Sequence, residues 1–589
     1  VNRAGIYDGN LGYIKCDSVF NTGYFKAVTG GRKVNGKEEV RFKRKAGVLL
    51  LKHKNVIIED DYMSELVQER EKTMRNVKLI NRLKELYRGG TVPFDYELAP
   101  TSFPPMTHQR VMFNIVAHCN FGALLADPGT GKTASYLWGI DSRRKRGWTG
   151  KVLIITLKGL CKNVVKEMRQ VTPDLKGVVL NGTDHADKVI NKKFVRGAKN
   201  VDYDVYLTSY ESVRHLIKVI PDGYFDMIIL DEAHRIAAPD SKQTEAIVGL
   251  KASYKYIATG TMHGNNEMSF YMPYYFLAPY LTGFGSYKSF RETIMIPIDD
   301  EKRIWVPTGK ARKTVSDVTT PHTVHFNKYD CVDDLPDLVE MDYEFELSPT
   351  QQRVCEEIKA EGVSMIEEMC SKCDRQVGCP GLCVDDTVMV NHILTMNKKL
   401  QQVANGYFVK TMSEIDDDCK EIDTSATIVF DENPRLDVLC DIIDQIPDDE
   451  KIIVWSIETR ATKMIIEYLQ KKGYKVAWCY GNDDAFEKED AFRKDGHIMV
   501  ANPTKMGTGL NMQYTSYQVG YFIDHSFVKY DQMVGRSHRK GAKNTVFMYR
   551  MIANNAGADQ RVVGCVTKKH TMSKELQEGA RLVIDKQKK

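Results

Sequence analysis

The sequence predicts an α/β protein: two doubly wound parallel-sheet lobes, a small N-terminal α+β accessory domain and a Cys-rich helical insertion. Three observations predict it. An apolar run, Gly122 to Leu125, enters a glycine-rich stretch, Ala126 to Thr133, and a helix-compatible segment follows to Ile140. A second apolar run, Met227 to Leu230, ends in Asp231 and Glu232. A second alternation of strand and helix signals begins near Pro434 and contains no glycine-rich stretch of the first kind. Such alternation is the pattern of a parallel sheet covered by helices on both faces.

The chain divides accordingly into residues 1–98, 99–335, 336–432 and 433–589. With 589 residues, each part is large enough to bury a core of its own. In the first part, Gly47 to Leu51 and Asn55 to Ile58 read as strands and Tyr62 to Tyr87 as a charged helix. Gly89, Gly90 and the prolines at 93, 100, 104 and 105 mark a linker. No uncharged apolar run is long enough to cross a bilayer and no secretory pattern opens the chain, so the expectation is a cytoplasmic protein of a bacterial cell or infected host, with a nuclear location left open. Thirteen cysteines, mostly scattered singly through apolar segments, suit a reducing compartment. A net charge of +5 is too small in so long a chain to demonstrate nucleic-acid binding. The basic clusters Arg41 to Lys45 and Arg143 to Arg146 suit a phosphate backbone or, equally, a solvated loop.

The stretch Ala126 to Thr133 reads A-D-P-G-T-G-K-T, a phosphate-binding loop between strand and helix. Asp127, Gly129, Thr130 and Gly131 shape a backbone whose N–H groups close around a triphosphate at a helix N-terminus. Lys132 reaches the outer phosphates and the Thr133 hydroxyl holds magnesium. Further strands are expected at Lys151 to Thr156, Val205 to Leu207 and Tyr256 to Ala258, with a helix around Asn163 to Gln170. The polar clusters all fall at C-terminal strand ends, where open parallel sheets place their ligands. Asp231 there holds the magnesium while Glu232 polarises the attacking water.

From about 280 to 350 the periodicity weakens. Gln351 to Met369 and Leu394 to Val403 read as helices, and Tyr407 to Phe430 as a short polar hairpin. Between the helices Cys370, Cys373, Cys379 and Cys383 stand as C-x2-C-x5-C-x3-C. Four thiolates so close suit a structural tetrahedral zinc site, and equally unligated thiols in a surface insertion. The second series has strands at Lys451 to Trp455, Lys475 to Cys479, His497 to Val500, Val519 to Ile523 and Thr545 to Met548. It carries a loop, Gly507 to Asn511, and then Arg536 and Arg539, read as one face of a helix able to stabilise charge on a transferred phosphoryl group.

This order of motifs resembles superfamily-two helicases, and more closely the Swi/Snf-like DNA-translocating ATPases, over residues 103 to 575. Gln109 matches the family's adenine-reading glutamine, which makes ATP the implied nucleotide. Thr156 to Lys158 resembles motif Ia, Thr208 to Glu211 motif Ib, Asp231 to His234 the DEAH box and Thr259 to Thr261 motif III. Asp334 to Pro336 and Gln351 resemble the segment between the lobes. Ile453 to Ser456 resembles motif IV, Gly507 to Asn511 motif V and Gln532 to Arg539 motif VI. Met262 departs from the family's usual proline, and the four-cysteine insertion is not a general family feature.

The resemblance implies two RecA-like lobes that bind ATP with magnesium. Lys132, Asp231, Glu232, Arg536 and Arg539 would be the catalytic set, with Gly507 also at the nucleotide. It implies a DNA partner, duplex or branched, contacted by Lys158, Thr208, Ser209, Ser456, Thr508 and Asn511, and a monomer of compact bacterial or viral type. Two alternatives stay open: a strand-separating or branch-migrating helicase, and a nucleic-acid-binding scaffold with a vestigial ATPase.

Overall fold

The computed structural model describes residues 2–7, 11–16, 26, 28–29, 32–34, 39–53, 56–180, 182–190, 202–260, 262, 267–297, 305–332, 334–370, 386–415, 421–506, 510–523, 526–555, 559–564, 566–567 and 582. Two compact units emerge. The first comprises Val1–Ile296, Pro307–Asp333 and Met572–Lys589; the second comprises Pro297–Val306 and Asp334–Thr571.

The first unit opens with a five-stranded sheet of β1 (Asn2–Ile6), β2 (Leu11–Lys15), β3 (Arg32–Lys33), β4 (Glu39–Lys43) and β5 (Val56–Ile58). Its order is β3-β4-β2-β1-β5. Helix α1 (Asp60–Arg88) then runs from this sheet into the next core. Tyr62 and Leu66 pack with Ala4, Ile14 and Phe42, whereas Ile80, Leu83 and Tyr87 join the core of the larger sheet. The strand expected at Gly47 to Leu51 is instead part of a 3-10 helix, Arg44–Lys52. Its apolar run does not alternate, so it buries Ala46, Leu49 and Leu50 by coiling rather than pairing. Gly47 lies so close to α1 that a Cβ there would fall 2.0 Å from the Tyr62 hydroxyl.

The larger sheet has seven strands, all parallel. They are β6 (Phe121–Ala126), β7 (Val152–Thr156), β8 (Gly177–Val179), β9 (Val205–Ser209), β10 (Met227–Asp231), β11 (Tyr254–Thr259) and β12 (Thr323–Phe326). Their order is β12-β6-β11-β10-β7-β9-β8. The helices that matter to the site are α2 (Thr107–His118), α3 (Lys132–Lys145), α4 (Cys161–Val171) and α5 (Tyr210–Leu216). Strands β6 and β10 are buried along their whole length, which is why both read as continuous apolar runs. The four-residue edge strand β12 has no such signature and lay within the stretch where periodicity weakens.

The basic cluster Arg143 to Arg146 lies at the end of α3 rather than in a loop, and two of its side chains close the C-terminus of α2. Arg143 is buried and donates from Nε to the Val116 carbonyl (2.6 Å) and from Nη2 to the Cys119 carbonyl (2.5 Å) and the Tyr256 hydroxyl (3.1 Å). Arg146 donates to the Ala117 carbonyl at 2.7 Å. Arg144 pairs with Asp204, and Lys145 pairs with Asp141 at 3.4 Å. A helix C-terminus presents unsatisfied carbonyls and partial negative charge, so guanidinium groups satisfy both demands.

The second unit holds a six-stranded parallel sheet of β13 (Leu338–Phe345), β16 (Ile452–Trp455), β17 (Val476–Cys479), β18 (Ile498–Ala501), β19 (Tyr517–Gly520) and β20 (Val546–Ala553). Its order is β13-β20-β19-β16-β18-β17. Strand β19 starts earlier than expected and β20 extends further, because β13 pairs with all of it, from Leu338 opposite Val546 to Phe345 opposite Ala553. Helices α8 (Pro349–Cys370) and α9 (Asp386–Ala404) precede a separate antiparallel hairpin, β14 (Tyr407–Ile415) and β15 (Glu421–Val429). Cys373, Cys379 and Cys383 of the candidate zinc site lie outside the described residues, as does the side chain of Cys370. No metal-holding group occurs among the described residues. Nor is any described helix long and apolar enough to cross a membrane.

Replacing Arg143 by Met leaves the Val116 and Cys119 carbonyls to share the Tyr256 hydroxyl as their one remaining side-chain donor and should destabilise the chain by about 2 kcal/mol. Urea unfolding checks it; a midpoint equal to wild type would refute the capping role.

Candidate active site

The phosphate loop is shaped by two left-handed glycines and clamped by four neighbours, His108, Gln109, Phe326 and Lys328. Gly129 and Gly131 have φ of 86° and 81°, a region that L side chains rarely adopt. A Cβ at Gly131 would also fall 2.0 Å from Gln109 Nε2. Helix α3 begins at Lys132, so its first N–H groups have no acceptor within the helix and are available to an anion. Thr130 is buried; its hydroxyl donates to the Asp127 carbonyl at 2.8 Å. The Thr130 carbonyl accepts from Gln109 Nε2 at 3.1 Å and lies 2.8 Å from His108 Nε2. Gln109 Oε1 accepts the Met106 N–H at 2.9 Å, so the buried Gln109 amide is engaged at both ends and holds the loop to the start of α2.

Asp127 ties the loop to the sheet edge. Its N–H donates to the Phe326 carbonyl at 3.1 Å, and its carboxylate accepts the Lys328 N–H at 3.0 Å. Burial pushes its carboxyl above the ordinary range, against the pull of that N–H and of the nearby lysines. Lys132 folds back, with Nζ 2.6 Å from the Ala126 carbonyl and 3.3 Å from that of Asp127.

The acidic pair sits at the end of β10. Asp231 is buried; its carboxylate accepts from the Thr156 hydroxyl at 3.4 Å, and its carbonyl accepts from the Tyr210 hydroxyl at 2.9 Å. Burial first, and then the charge of Glu232, raise its carboxyl to about 7. Glu232 has φ 60° and ψ 49°, and among the described residues no other non-glycine has positive φ. This turn carries its side chain off the strand. Glu232 Oε2 accepts from the Thr259 hydroxyl at 3.2 Å and lies 3.4 Å from His234 Nδ1, which is itself 3.1 Å from the Thr259 oxygen. A carboxylate oriented on one oxygen by two partners, and partly open, is suited to accept a proton from water.

The donor set fits a nucleoside triphosphate with magnesium. Backbone N–H groups and Lys132 complement phosphate, and the Thr133 hydroxyl and Asp231 carboxylate are hard oxygen ligands of the kind magnesium prefers. The sequence alone does not place His108, His234 and Thr259 among the site residues. Their contacts are made across strand ends, and only the DEAH and Thr-Gly-Thr motifs hinted at the last two.

The expected nucleic-acid residues are placed unevenly. Lys158 is exposed on a 3-10 turn after β7. Thr208 is buried at the end of β9, its hydroxyl without a hydrogen-bond partner. Ser209 caps α5, its hydroxyl accepting the Ser212 N–H at 3.3 Å. Ser456 is fully buried in the second unit and accepts from Thr462 at 3.1 Å, which corrects its expected role: that hydroxyl faces the interior. Gly507 and Thr508 lie outside the described residues; Asn511 is exposed.

Arg536 and Arg539 do not share a helix. The helix Phe527–Ser537 ends between them, and His538, its ring buried against the Pro336 carbonyl at 2.7 Å, turns the chain away. Arg536 is buried and donates to the carbonyls of Gln532 (3.0 Å) and Leu510 (3.1 Å). Arg539 donates to the same Leu510 carbonyl at 3.2 Å.

Two family profiles match the sequence. The profile of the SNF2-related domain matches residues 64–409, and that of the helicase conserved C-terminal domain matches residues 434–541. The chain is similar to an uncharacterized ATP-dependent helicase of Mycoplasma genitalium, 23% identical over 463 residues, which cover 77% of this chain and 40% of that protein. It is similar to the uncharacterized ATP-dependent helicase YqhH of Bacillus subtilis, 24% identical over 468 residues, 76% of this chain and 75% of that one. This chain thus spans about two fifths of the length of the mycoplasma relatives it matches. A solved Sulfolobus solfataricus SWI2/SNF2 ATPase core in complex with dsDNA is 19% identical, covering 84% of this chain and 100% of that chain at a TM-score of 0.38.

Two substitutions test the acidic pair. Glu232→Gly and Glu232→Ala both remove the carboxylate, but only glycine relaxes the left-handed backbone, so the glycine variant should be more stable by about 1 kcal/mol. Equal unfolding midpoints would deny the strain. For Asp231, a folded-state pKa raised above the unfolded one means that stability falls as pH rises from about 4 to about 7. Asp231→Asn escapes this loss. Its melting temperature without nucleotide should exceed wild type by more at about pH 8 than at about pH 5.

Proposed function

The chain belongs to the SNF2-related family, and from that premise we propose an ATP-driven motor that moves along double-stranded DNA, remodelling DNA structures or displacing bound proteins. The observation that carries this reading is the Asp231–Glu232 pair at the C-terminal end of the sheet that also bears the phosphate loop, with Glu232 oriented by Thr259 and His234. The names of the bacterial relatives, ATP-dependent helicases, support it.

In this mechanism the loop N–H groups and Lys132 bind the triphosphate. Magnesium, held by Thr133 and Asp231, would supply neutralising charge at the phosphate oxygens. Glu232 takes the proton of the attacking water, and the Thr259 and His234 contacts fix which carboxylate oxygen receives it. Lys132 must exchange its carbonyl partners, Ala126 and Asp127, for phosphate oxygens. Arg536 and Arg539 are assigned to charge that develops on the transferred phosphoryl group. Arg536 is buried and Arg539 lies beyond the helix end, and both hold the Leu510 carbonyl. Lys158, Ser209 and Asn511 are assigned to DNA phosphates, which position a strand without reading its sequence. Residues 1–98 are assigned an accessory role that includes bracing the motor through α1.

One observation favours strand separation as a second reading: the hairpin β14–β15 forms a sheet of its own, with nine residues in each strand. Against it, the residues between the strands include Asp416, Asp417 and Asp418, which repel phosphate.

Steady-state ATP hydrolysis with no nucleic acid, single-stranded DNA, blunt duplex, a forked junction and RNA separates these readings. Duplex should stimulate at least as strongly as single strands; stimulation confined to single strands or forks would favour strand separation. Lys132→Ala should lose nucleotide binding, and Glu232→Gln should retain it while turnover falls at least ~100-fold. Normal turnover in the latter would remove Glu232 from the mechanism.

A further inference from the structure

The residues that hold the phosphate loop leave the nucleotide's base without an evident platform. Gln109, the residue expected to read adenine, is 1% exposed and has both ends of its amide committed, to Met106 and Thr130. Base binding needs a flat, accessible surface beside the loop.

Among the described residues two tyrosines are strongly exposed, Tyr7 and Tyr329. Tyr7 lies on the small N-terminal sheet, with the Arg41 guanidinium 3.6 Å from its ring centroid. Tyr329 is 56% exposed and lies elsewhere. It belongs to the short helix α7 (Lys328–Cys331), which follows β12 directly. Strand β12 pairs with β6 up to Phe326 opposite Ala126, where the phosphate-loop stretch begins. The Asp127–Phe326 and Asp127–Lys328 hydrogen bonds fasten the start of α7 to that loop. On the other side the His108 ring lies 5.7 Å from that of Phe326 while its Nε2 contacts Thr130. Tyr329 therefore follows the corner where α2, the phosphate loop and β12 meet, directly after the Asp127-bonded Lys328.

Its backbone is held in place. Asn327 caps α7 by accepting the Tyr329 N–H at 2.9 Å, and the Asp330 N–H donates to the Asn327 carbonyl at 3.1 Å. The Lys328 ammonium lies 5.3 Å from the Tyr329 ring centroid, a cation–π distance that orients the ring. An exposed ring on an anchored backbone loses little entropy when a base stacks on it.

We propose that Tyr329 is the stacking platform for the base of the bound nucleotide, with Lys328 and Asn327 as its positioning residues. The assignment rests on the reading of residues 126–133 as an ATP site. Stacking is tolerant of base identity, because every base has a π face. Tyr329 therefore supplies affinity for any purine nucleoside triphosphate and none for a triphosphate without a base.

The test compares wild type, Tyr329→Ala and Tyr329→Phe in the full chain. Probes are a ribose-labelled fluorescent ATP analogue, the matching GTP analogue and inorganic tripolyphosphate as competitor. Tyr329→Ala should weaken both nucleotides by about 10-fold, raise KM for ATP with kcat retained, and leave tripolyphosphate competition unchanged. Tyr329→Phe should bind within about twofold of wild type, since the ring is kept. If wild type binds ATP and Tyr329→Ala binds it equally well, the platform is overturned while the ATPase reading stands. Loss of tripolyphosphate binding in Tyr329→Ala would also overturn it, by showing damage to the loop itself. If wild type binds no nucleotide, the ATPase reading fails and takes this assignment with it.

Discussion

The left-handed backbone at Glu232 is the constraint around which the first unit's site is arranged. A strand buried on both faces must deliver two acids to one strand end, and successive side chains of a strand point to opposite faces. Asp231, still in β10, stays buried against Thr156. Glu232 reaches the adjacent strand's end only because the chain leaves β10 with φ near 60°. For a residue with a long side chain that conformation costs about 1–2 kcal/mol, and it persists because neighbours over-determine it. The Tyr210 hydroxyl fixes the Asp231 carbonyl just before the turn, and Thr259 and His234 hold the carboxylate just after it. One pair of acids thereby acquires two environments: one buried with a raised pKa, one accessible and oriented.

The cations divide by the same principle, according to what surrounds them. Arg143 and Arg146 look in sequence like part of a phosphate-binding patch, but both are consumed by the carbonyls that end α2. In the second unit Arg435 is fully buried, bonded to the Tyr521 carbonyl and paired with Asp559, whose carboxylate also accepts the Ala553 N–H at 3.0 Å. Lys45 pairs with Glu69, and Arg41 with Glu39. A small net charge is thus smaller still as a resource for DNA, since much of the arginine is structural. Among the described residues, the group proposed for DNA that stands exposed with a positive charge is Lys158, placed by the end of a strand.

Strands β6 and β10 were legible because parallel strands buried on both faces read as uninterrupted apolar runs, and the phosphate loop was legible because its spacing is local. The hairpin at 407–429 and the long helix α1 were also legible from local pattern. What escaped was set by distant partners. Residues 44–52 coil because Tyr62 occupies the space beside Gly47. Strand β12 is too short to show a period and exists because β6 offers it an edge. The offset between Arg536 and Arg539 depends on where the helix ends, and that is decided by His538 seating on Pro336, far away in sequence. Ser456 matched its motif, yet its burial follows from Thr462 one helical turn into the next element. His108 and the double engagement of Gln109 are contacts to Thr130, visible only once α2 and the loop are adjacent.

The same argument explains why two arginines near the end of the second unit share one acceptor although they sit on different elements. Their guanidinium groups meet at one acceptor, the Leu510 carbonyl, 3.1 Å from Arg536 and 3.2 Å from Arg539. The Met512 N–H returns a hydrogen bond to the Arg536 carbonyl at 3.0 Å, so loop and helix end are tied in both directions. A carbonyl has two lone pairs, and both are directed at these cations. Any displacement of residue 510 therefore changes the surroundings of both arginines at once. Because Leu510 stands in the loop whose neighbour Asn511 is exposed and assigned to DNA, contact with a strand and placement of the cations share a single mechanical part. Under the proposed assignments, coupling between nucleic acid and hydrolysis then needs no long pathway within this unit: it needs only that one carbonyl move.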